Sequence, residues 1–139
     1  MLKEIPDGFI PLNRPSPFIY TVGPVYLKKA GEYATIGLRI DDKHANARGI
    51  AHGGVLAALA DIALGYNLVF STSPPRTLVT VNLTIDFIGS AKHGDWLEAY
   101  VEIHKQEGRT AFASARLMSG AKQIARASGI FLMGKPFSS

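Results

Sequence analysis

The apolar residues of this chain follow two different periods, and the change between them outlines the architecture. Residues 55–70, VLAALADIALGYNLVF, contain no proline and are apolar nearly all round. A helix without a polar face is a buried one, and this one is stopped by Ser71, Thr72, Ser73, Pro74 and Pro75. Beyond it the period drops to two. Over 78–88, Val79, Val81, Leu83, Ile85 and Phe87 occupy one face and Thr80, Asn82, Thr84 and Asp86 the other. Leu97, Ala99, Val101 and Ile103 then alternate with Glu98, Tyr100, Glu102 and His104. Two further strands are predicted over 110–118 and 123–133, joined by Ser119-Gly120-Ala121-Lys122. Residues 105–109 supply the preceding hairpin turn, with Gly108 available for a positive φ. Ahead of the helix, short apolar stretches at 25–27 and 33–38 flank a turn containing Gly31, a hairpin signature. Residues 41–54 read as a polar loop, and the proline-rich first 22 residues as an irregular arm with room for a short helical turn.

A hairpin, one long apolar helix and at least three antiparallel strands define an α+β protein. A helix that is apolar on every side must be covered over most of its circumference, and one curled antiparallel β-sheet wrapped around one long central helix does this. The expected organisation is an arm (1–22), a single domain (23–135) and a short tail (136–139). No internal repeat is visible.

Composition narrows the function classes. A chain of 139 residues with 47% hydrophobic and 19% charged residues is ordinary globular material. No stretch approaches the ~18 apolar residues that span a bilayer. The first residues, interrupted by Pro6, Asp7, Pro11, Arg14 and Pro15, lack the apolar core of a secretion signal. The absence of cysteine excludes disulfides and thiol nucleophiles. A cytoplasmic protein without membrane insertion is expected. The net charge of +4 and a pI near 9.5 favour anionic partners. The basic residues are scattered and not interleaved with aromatics, so nucleic acid is not expected; the excess is either plain solubility charge or a match for a small polyanionic ligand.

The chemistry concentrates in 46–61, NARGIAHGGVLAALAD. Asp61 lies within the helix, and its face is shared by Gly54, Ala57, Ala58, Leu64, Gly65 and Leu68. A carboxylate amid apolar neighbours is costly without a partner, and small neighbours leave room for a ligand. Gly65 is a poor helix former, costing about 1 kcal/mol against Ala. A purely structural alternative is that Asp61 pairs with an arginine or caps a loop. His52-Gly53-Gly54 opens the helix, where first-turn N–H groups lack intrahelical acceptors and carry partial positive charge. Such a turn can polarise a carbonyl oxygen as it becomes an oxyanion, or it can simply be a tight loop-to-helix junction. His52 is a candidate general base, but fixing the loop through hydrogen bonds is the favoured role. Gly53 and Asp61 are eight positions apart, roughly 12 Å along a helix. Acting on one carbonyl, they must come from two subunits packed antiparallel, which predicts a symmetric homodimer with shared sites. A dimer of dimers is a further expectation that this spacing does not itself give.

The spacing Asn46-x2-Gly49-x2-His52-Gly53-Gly54-x6-Asp61, followed by the strand LVTVNLTIDFI, resembles the signature of PaaI-like hotdog thioesterases of the 4HBT superfamily, over almost the whole chain. The resemblance implies the hotdog fold and hydrolysis of an acyl-CoA thioester to free acid and CoA. It implies that Asp61 attacks the thioester or activates water, and that the Gly53 N–H of the opposite subunit polarises the carbonyl. Asn46 would help hold the sulfur or the water, and Thr80 would assist the carboxylate. Contacts to the substrate and its CoA tail would come from Gly54, Asn82, Phe87 and the turn containing Lys105, Gly108, Arg109 and Thr110. That turn has one residue, Glu107, more than some relatives. Two exposed basic residues there also suit simple solvation. The acyl pocket would be shaped by Leu64, Leu68 and the arm.

CoA would be part of the substrate, and no further cofactor is expected. His44, His52, His93 and His104 lack metal-ligand spacing with one another or with carboxylates, and neither a GxSxG elbow nor a P-loop occurs. A hydratase on the same fold would carry a His-plus-carboxylate segment that is missing. A non-catalytic acyl-CoA binder or an assembly scaffold would leave Asp61, Asn46 and Thr80 without a task.

Overall fold

The computed structural model describes residues 4–137 and contains seven strands, two α-helices and a single 3-10 turn, Asp42–His44. They are β1 (Ile10–Pro11), α1 (Pro17–Val22), β2 (Val25–Ala30), β3 (Tyr33–Arg39), α2 (Gly53–Val69), β4 (Arg76–Phe87), β5 (Trp96–Glu107), β6 (Thr110–Ser119) and β7 (Lys122–Pro136). All strands belong to one antiparallel sheet in the order β1-β2-β3-β5-β6-β7-β4. The crossover places β4, the strand that follows α2, at one edge, and α2 lies against the concave face from β3 to β4.

Three hairpins share one device. Gly31, Gly108 and Gly120 each sit at the first central position of a two-residue turn with φ of +66°, +60° and +60°. This is the type II′ arrangement, whose twist matches that of the flanking strands. The turn expected over 105–109 is therefore only Gly108-Arg109. Glu107 stays in the strand opposite Thr110, and a bulge at His104 absorbs the extra residue, since Ile103 pairs with Ala113 but Lys105 with Phe112.

The floor under the helix is built from small residues. Ala111, Ala113 and Ala115 of β6 and Ala125, Ala127 and Gly129 of β7 are buried, so the large residues Leu56, Leu59, Leu64 and Leu68 of α2 can press onto the sheet. A Cβ at Gly129 would stand 2.6 Å from the Phe131 ring and 3.2 Å from Leu64. That is too close for any other residue without displacement.

One boundary is corrected. The helix begins two residues earlier than predicted, with both glycines in its first turn, and the curled sheet that wraps it leaves one side of it open. Gly54, Ala57, Ala58, Asp61, Ile62 and Gly65 form a stripe that stays at least partly exposed. An all-apolar helix here has one side on the sheet and one open.

The faces of β4 also differ from a simple alternation. Thr80 pairs with Phe131 and Asn82 with Ile130, leaving Val81 as an inserted residue that inverts the phase. Leu78 and Thr80 face the helix on one side of the bulge and Leu83 and Ile85 on the other, whereas Val79 and Val81 are 60% and 62% exposed. Apolar side chains at an unpaired sheet edge look, in a sequence, like core positions.

The arm is more regular than expected. Ile10 and Pro11 add a strand to β2, the Leu12 N–H donates to the Val25 carbonyl (2.8 Å), and α1 is capped by the Ser16 hydroxyl.

Candidate active site

Asp61 lies two turns into α2 on the open stripe, half-buried, and is not enclosed by the core. The Thr80 hydroxyl donates to its Oδ1 at 2.7 Å. This contact depends on the Val81 bulge, since without the phase inversion Thr80 and Leu83 could not both face α2. One Asp61 oxygen is thus held by a short charge-assisted bond, and the carboxylate opens on a cleft of about 170 Å³. Gly65, one turn further along, keeps this cleft open. A Cβ there would meet only Leu78, at 3.8 Å, so the glycine leaves space and relieves no clash.

The other cleft walls come from Ile62, Tyr66 and Val69 of α2, Leu78 of β4, Phe131 of β7, and Leu12, Arg14 and Ile19 of the arm. The arm therefore contributes to the walls of this cleft. Leu64 and Leu68 do not, because both are fully buried on the sheet side of the helix. Arg14 was not singled out from sequence. An arginine in a proline-rich arm gives no local signal of where it folds back.

The helix start forms a second cluster. Gly53 packs against Phe87 so closely that a Cβ would sit 3.0 Å from the ring, whereas around Gly54 nothing lies within 4 Å. Their N–H groups point off the first turn of a 17-residue helix, where no intrahelical acceptor exists. His52 is exposed at the N-cap position and makes no side-chain capping bond. Its N–H donates to the His44 carbonyl (2.9 Å), so the backbone holds it.

The loop-fixing side chain is instead His44, only 2% exposed. Its Nδ1 accepts from the Asp41 N–H (2.9 Å), so Nε2 carries the proton and donates to the Val22 carbonyl (2.5 Å). Asn46 also anchors the loop. Its Oδ1 accepts from the N–H groups of Arg48 (2.8 Å) and Ile50 (3.2 Å), which leaves its amide NH2 as the group it can offer a ligand.

Within one chain, Asp61 and Thr80 share the cleft, while Asn46, His52 and Gly53 are not among its walls. Asn82 is not with them either. It faces outward past the bulge, where its Oδ1 accepts from the Thr84 hydroxyl (3.1 Å). At the β5–β6 turn, Lys105 is paired with Glu107 (3.2 Å) and the Arg109 carbonyl accepts from the Met133 N–H (2.6 Å). Arg76 ties the turn to the sheet by donating to the carbonyls of Gly134 (2.9 Å) and Gly108 (3.3 Å). Thr110 opens β6 at the same place.

Tertiary structure also joins groups that spacing kept apart. The Ile40–Asp95 pairing brings His93 to Asp41 (3.7 Å) and Asp42 (3.0 Å), a set of metal-ligand types absent from any sequence motif. All three are exposed, and they form a surface ion pair when His93 is protonated. On the outer sheet face, a hydrogen bond to Glu98, burial and the Glu98 charge push Tyr100 up to about 12.

A seven-stranded curled sheet around one long helix is the hotdog architecture, and here a carboxylate opens on the cleft beside that helix. The family is shown directly: residues 48–124 match the thioesterase superfamily, and the chain belongs to it. A protein of Pseudomonas aeruginosa, named only provisionally as an esterase, is 48% identical over 131 residues, 94% of this chain and 98% of that one. Among solved structures, the PaaI protein of the E. coli phenylacetic acid degradation operon superposes with a TM-score of 0.79. It is 20% identical, with 89% of each chain covered. A hypothetical thioesterase of Streptococcus pneumoniae, solved with coenzyme A, gives 0.74 at 19% identity, covering 82% of this chain and 91% of the other. The chain is thus a thioester hydrolase by family and a hotdog protein by fold. No helix among the described residues is long and apolar enough to cross a membrane.

Proposed function

We propose that this protein hydrolyses acyl-CoA thioesters in the cytoplasm as a homodimer, assembled further into a dimer of dimers. The observation that carries the reading is the Asp61 carboxylate, held by Thr80 and opening on a cleft with apolar walls. CoA as the thiol part is supported by the coenzyme A bound to the S. pneumoniae relative. A scattered positive charge also suits a phosphate-bearing substrate.

In the proposed reaction Asp61 attacks the thioester carbonyl, or takes a proton from a water that does so. The C–S bond breaks, and the sulfur leaves as a thiolate that takes up a proton to become the CoA thiol. On the first route a water then cleaves the acyl–Asp61 anhydride and restores the carboxylate. On the second the attacking water supplies both the acid's oxygen and, through Asp61, the proton for the thiol. On either route the acyl group departs as the carboxylic acid. The developing oxyanion is met by the Gly53 N–H of a second copy, with Asn46 of that copy holding the water or the sulfur through its amide. His52 stands beside this turn. Gly54 and Phe87 of one copy, with Lys105, Gly108, Arg109 and Thr110 of the β5–β6 turn of another, form the rim proposed to receive the CoA tail. Asn82, facing outward, would reach substrate only across the assembly.

Two features support the shared site. The edge of β4 is unpaired and carries exposed Val79 and Val81, which a second β4 would cover. The stripe of small residues on α2 lets a second helix approach closely. Light scattering reads the assembly. Thiol release across aryl- and fatty-acyl-CoA esters, with wild type and Asp61→Asn side by side, reads the chemistry. A loss of about 10²-fold or more in a folded, assembled variant is expected. Ester binding without turnover in the wild type would make the chain a non-catalytic acyl-CoA binder.

A further inference from the structure

Arg14 is a cation in an apolar place. It is half-buried in the wall of the Asp61 cleft, with its guanidinium 5.2 Å from the ring centres of both Phe70 and Phe137. Among the described residues it has no carboxylate partner within ion-pair distance and its side chain makes no hydrogen bond. Two rings hold the group in position without using its in-plane N–H donors.

Its place along the cleft is defined by the helix. Phe70 follows Asp61 by nine residues, roughly 14 Å along the axis of α2 at 1.5 Å per residue. Arg14, packed on the Phe70 ring, lies toward that end of the cleft. Between the two ends the walls are Ile62, Gly65, Tyr66, Val69, Leu12 and Ile19. A linear apolar acyl chain fits such a passage. Its end would meet a positive charge, and a methyl terminus would desolvate that charge with nothing in return.

We infer that Arg14 selects acyl groups that end in a carboxylate: the thioester sits at Asp61, the methylene chain follows α2, and the distal carboxylate takes paired N–H bonds from Arg14. This rests on the thioesterase reading above. A planar fork held at its carbon by aromatic rings matches a carboxylate bidentately, which the terminal methyl of a fatty acyl group cannot exploit.

The test compares matched pairs, adipoyl- with hexanoyl-CoA and suberoyl- with octanoyl-CoA, by thiol release. Wild type, Arg14→Met and Arg14→Lys are each assayed after circular dichroism confirms folding. The wild type is expected to prefer the dicarboxylic member of each pair in kcat/KM. Arg14→Met should lose roughly 10- to 100-fold on that member alone, the range for a charge-assisted contact, with Arg14→Lys in between. A preference unchanged by Arg14→Met overturns the inference. So does a loss that vanishes on the matching N-acetylcysteamine thioesters, because Arg14 would then be holding CoA phosphate. Calorimetric titration of the same esters onto Asp61→Asn separates the two proposals. If the wild type cleaves nothing, but binding still favours the dicarboxylic ester and that preference is lost in Asp61→Asn/Arg14→Met, the thioesterase reading fails and the Arg14 assignment stands. Equal binding of both members overturns the assignment whatever the turnover.

Discussion

Asn67 is the residue whose removal should reveal most about how the helix is held at its working position. It lies on α2, six residues beyond Asp61, and is buried against β3. The ladder between β3 and β5 runs only from Ile36 to Arg39, so Ala34 has an unpaired edge where the two strands diverge. The Asn67 side chain takes the place of the missing strand. Its Oδ1 accepts from the Ala34 N–H (2.8 Å), and its Nδ2 donates to the Ala34 carbonyl (3.0 Å) and to the Ala63 carbonyl (2.9 Å).

Asn67→Leu keeps the branched shape of the side chain, at somewhat greater volume, and removes all three bonds. Two buried backbone groups of Ala34 are then left unsatisfied, at about 1–3 kcal/mol each, partly offset by the apolar side chain. A net loss of about 2–4 kcal/mol is expected, a large fraction of the 5–15 kcal/mol typical of a domain. Urea denaturation followed by circular dichroism should show a lower midpoint with an unchanged slope. Turnover per folded molecule should fall as well, because α2 also carries Asp61 across from Thr80. A variant within about 0.5 kcal/mol of wild type would refute the substitute-strand account.

Three further outcomes follow from the geometry. Thr80→Val removes the hydroxyl that holds Asp61 and should lower kcat roughly tenfold with little change in KM, whereas Thr80→Ser should retain most activity; equal rates for all three would remove Thr80 from the site. Gly53→Ala places a methyl against Phe87, so its loss of stability should be relieved when combined with Phe87→Leu, as a double-mutant cycle in thermal denaturation would measure. The Tyr100 hydroxyl stays protonated to about pH 12 in the folded chain and to about 10 unfolded. Its contribution is therefore complete below pH 10 and disappears as pH rises through 12, and Tyr100→Phe should flatten that part of a stability–pH curve.

The sequence by itself determined the elements and the class of chemistry. A proline-free apolar run, period-two stretches and glycine at each hairpin turn are local signals, so α2 and β2 to β7 were legible within a few residues. The single carboxylate on α2, with small residues around it and paired glycines ahead of it, marked the candidate site in the same local way. Only the tertiary structure decided which faces those elements present. The Val81 bulge reverses the phase of β4, and a one-residue insertion cannot be seen in an apolar strand whose edge is unpaired. It also decided which histidine fixes the loop, since the roles of His44 and His52 depend on whether the Val22 carbonyl is within reach. The cleft itself joins the arm, α2, β4 and β7. Arg14 and Asp61 belong to it because the chain folds back between Phe70 and Phe137, and no pattern of spacing records a contact between segments so far apart.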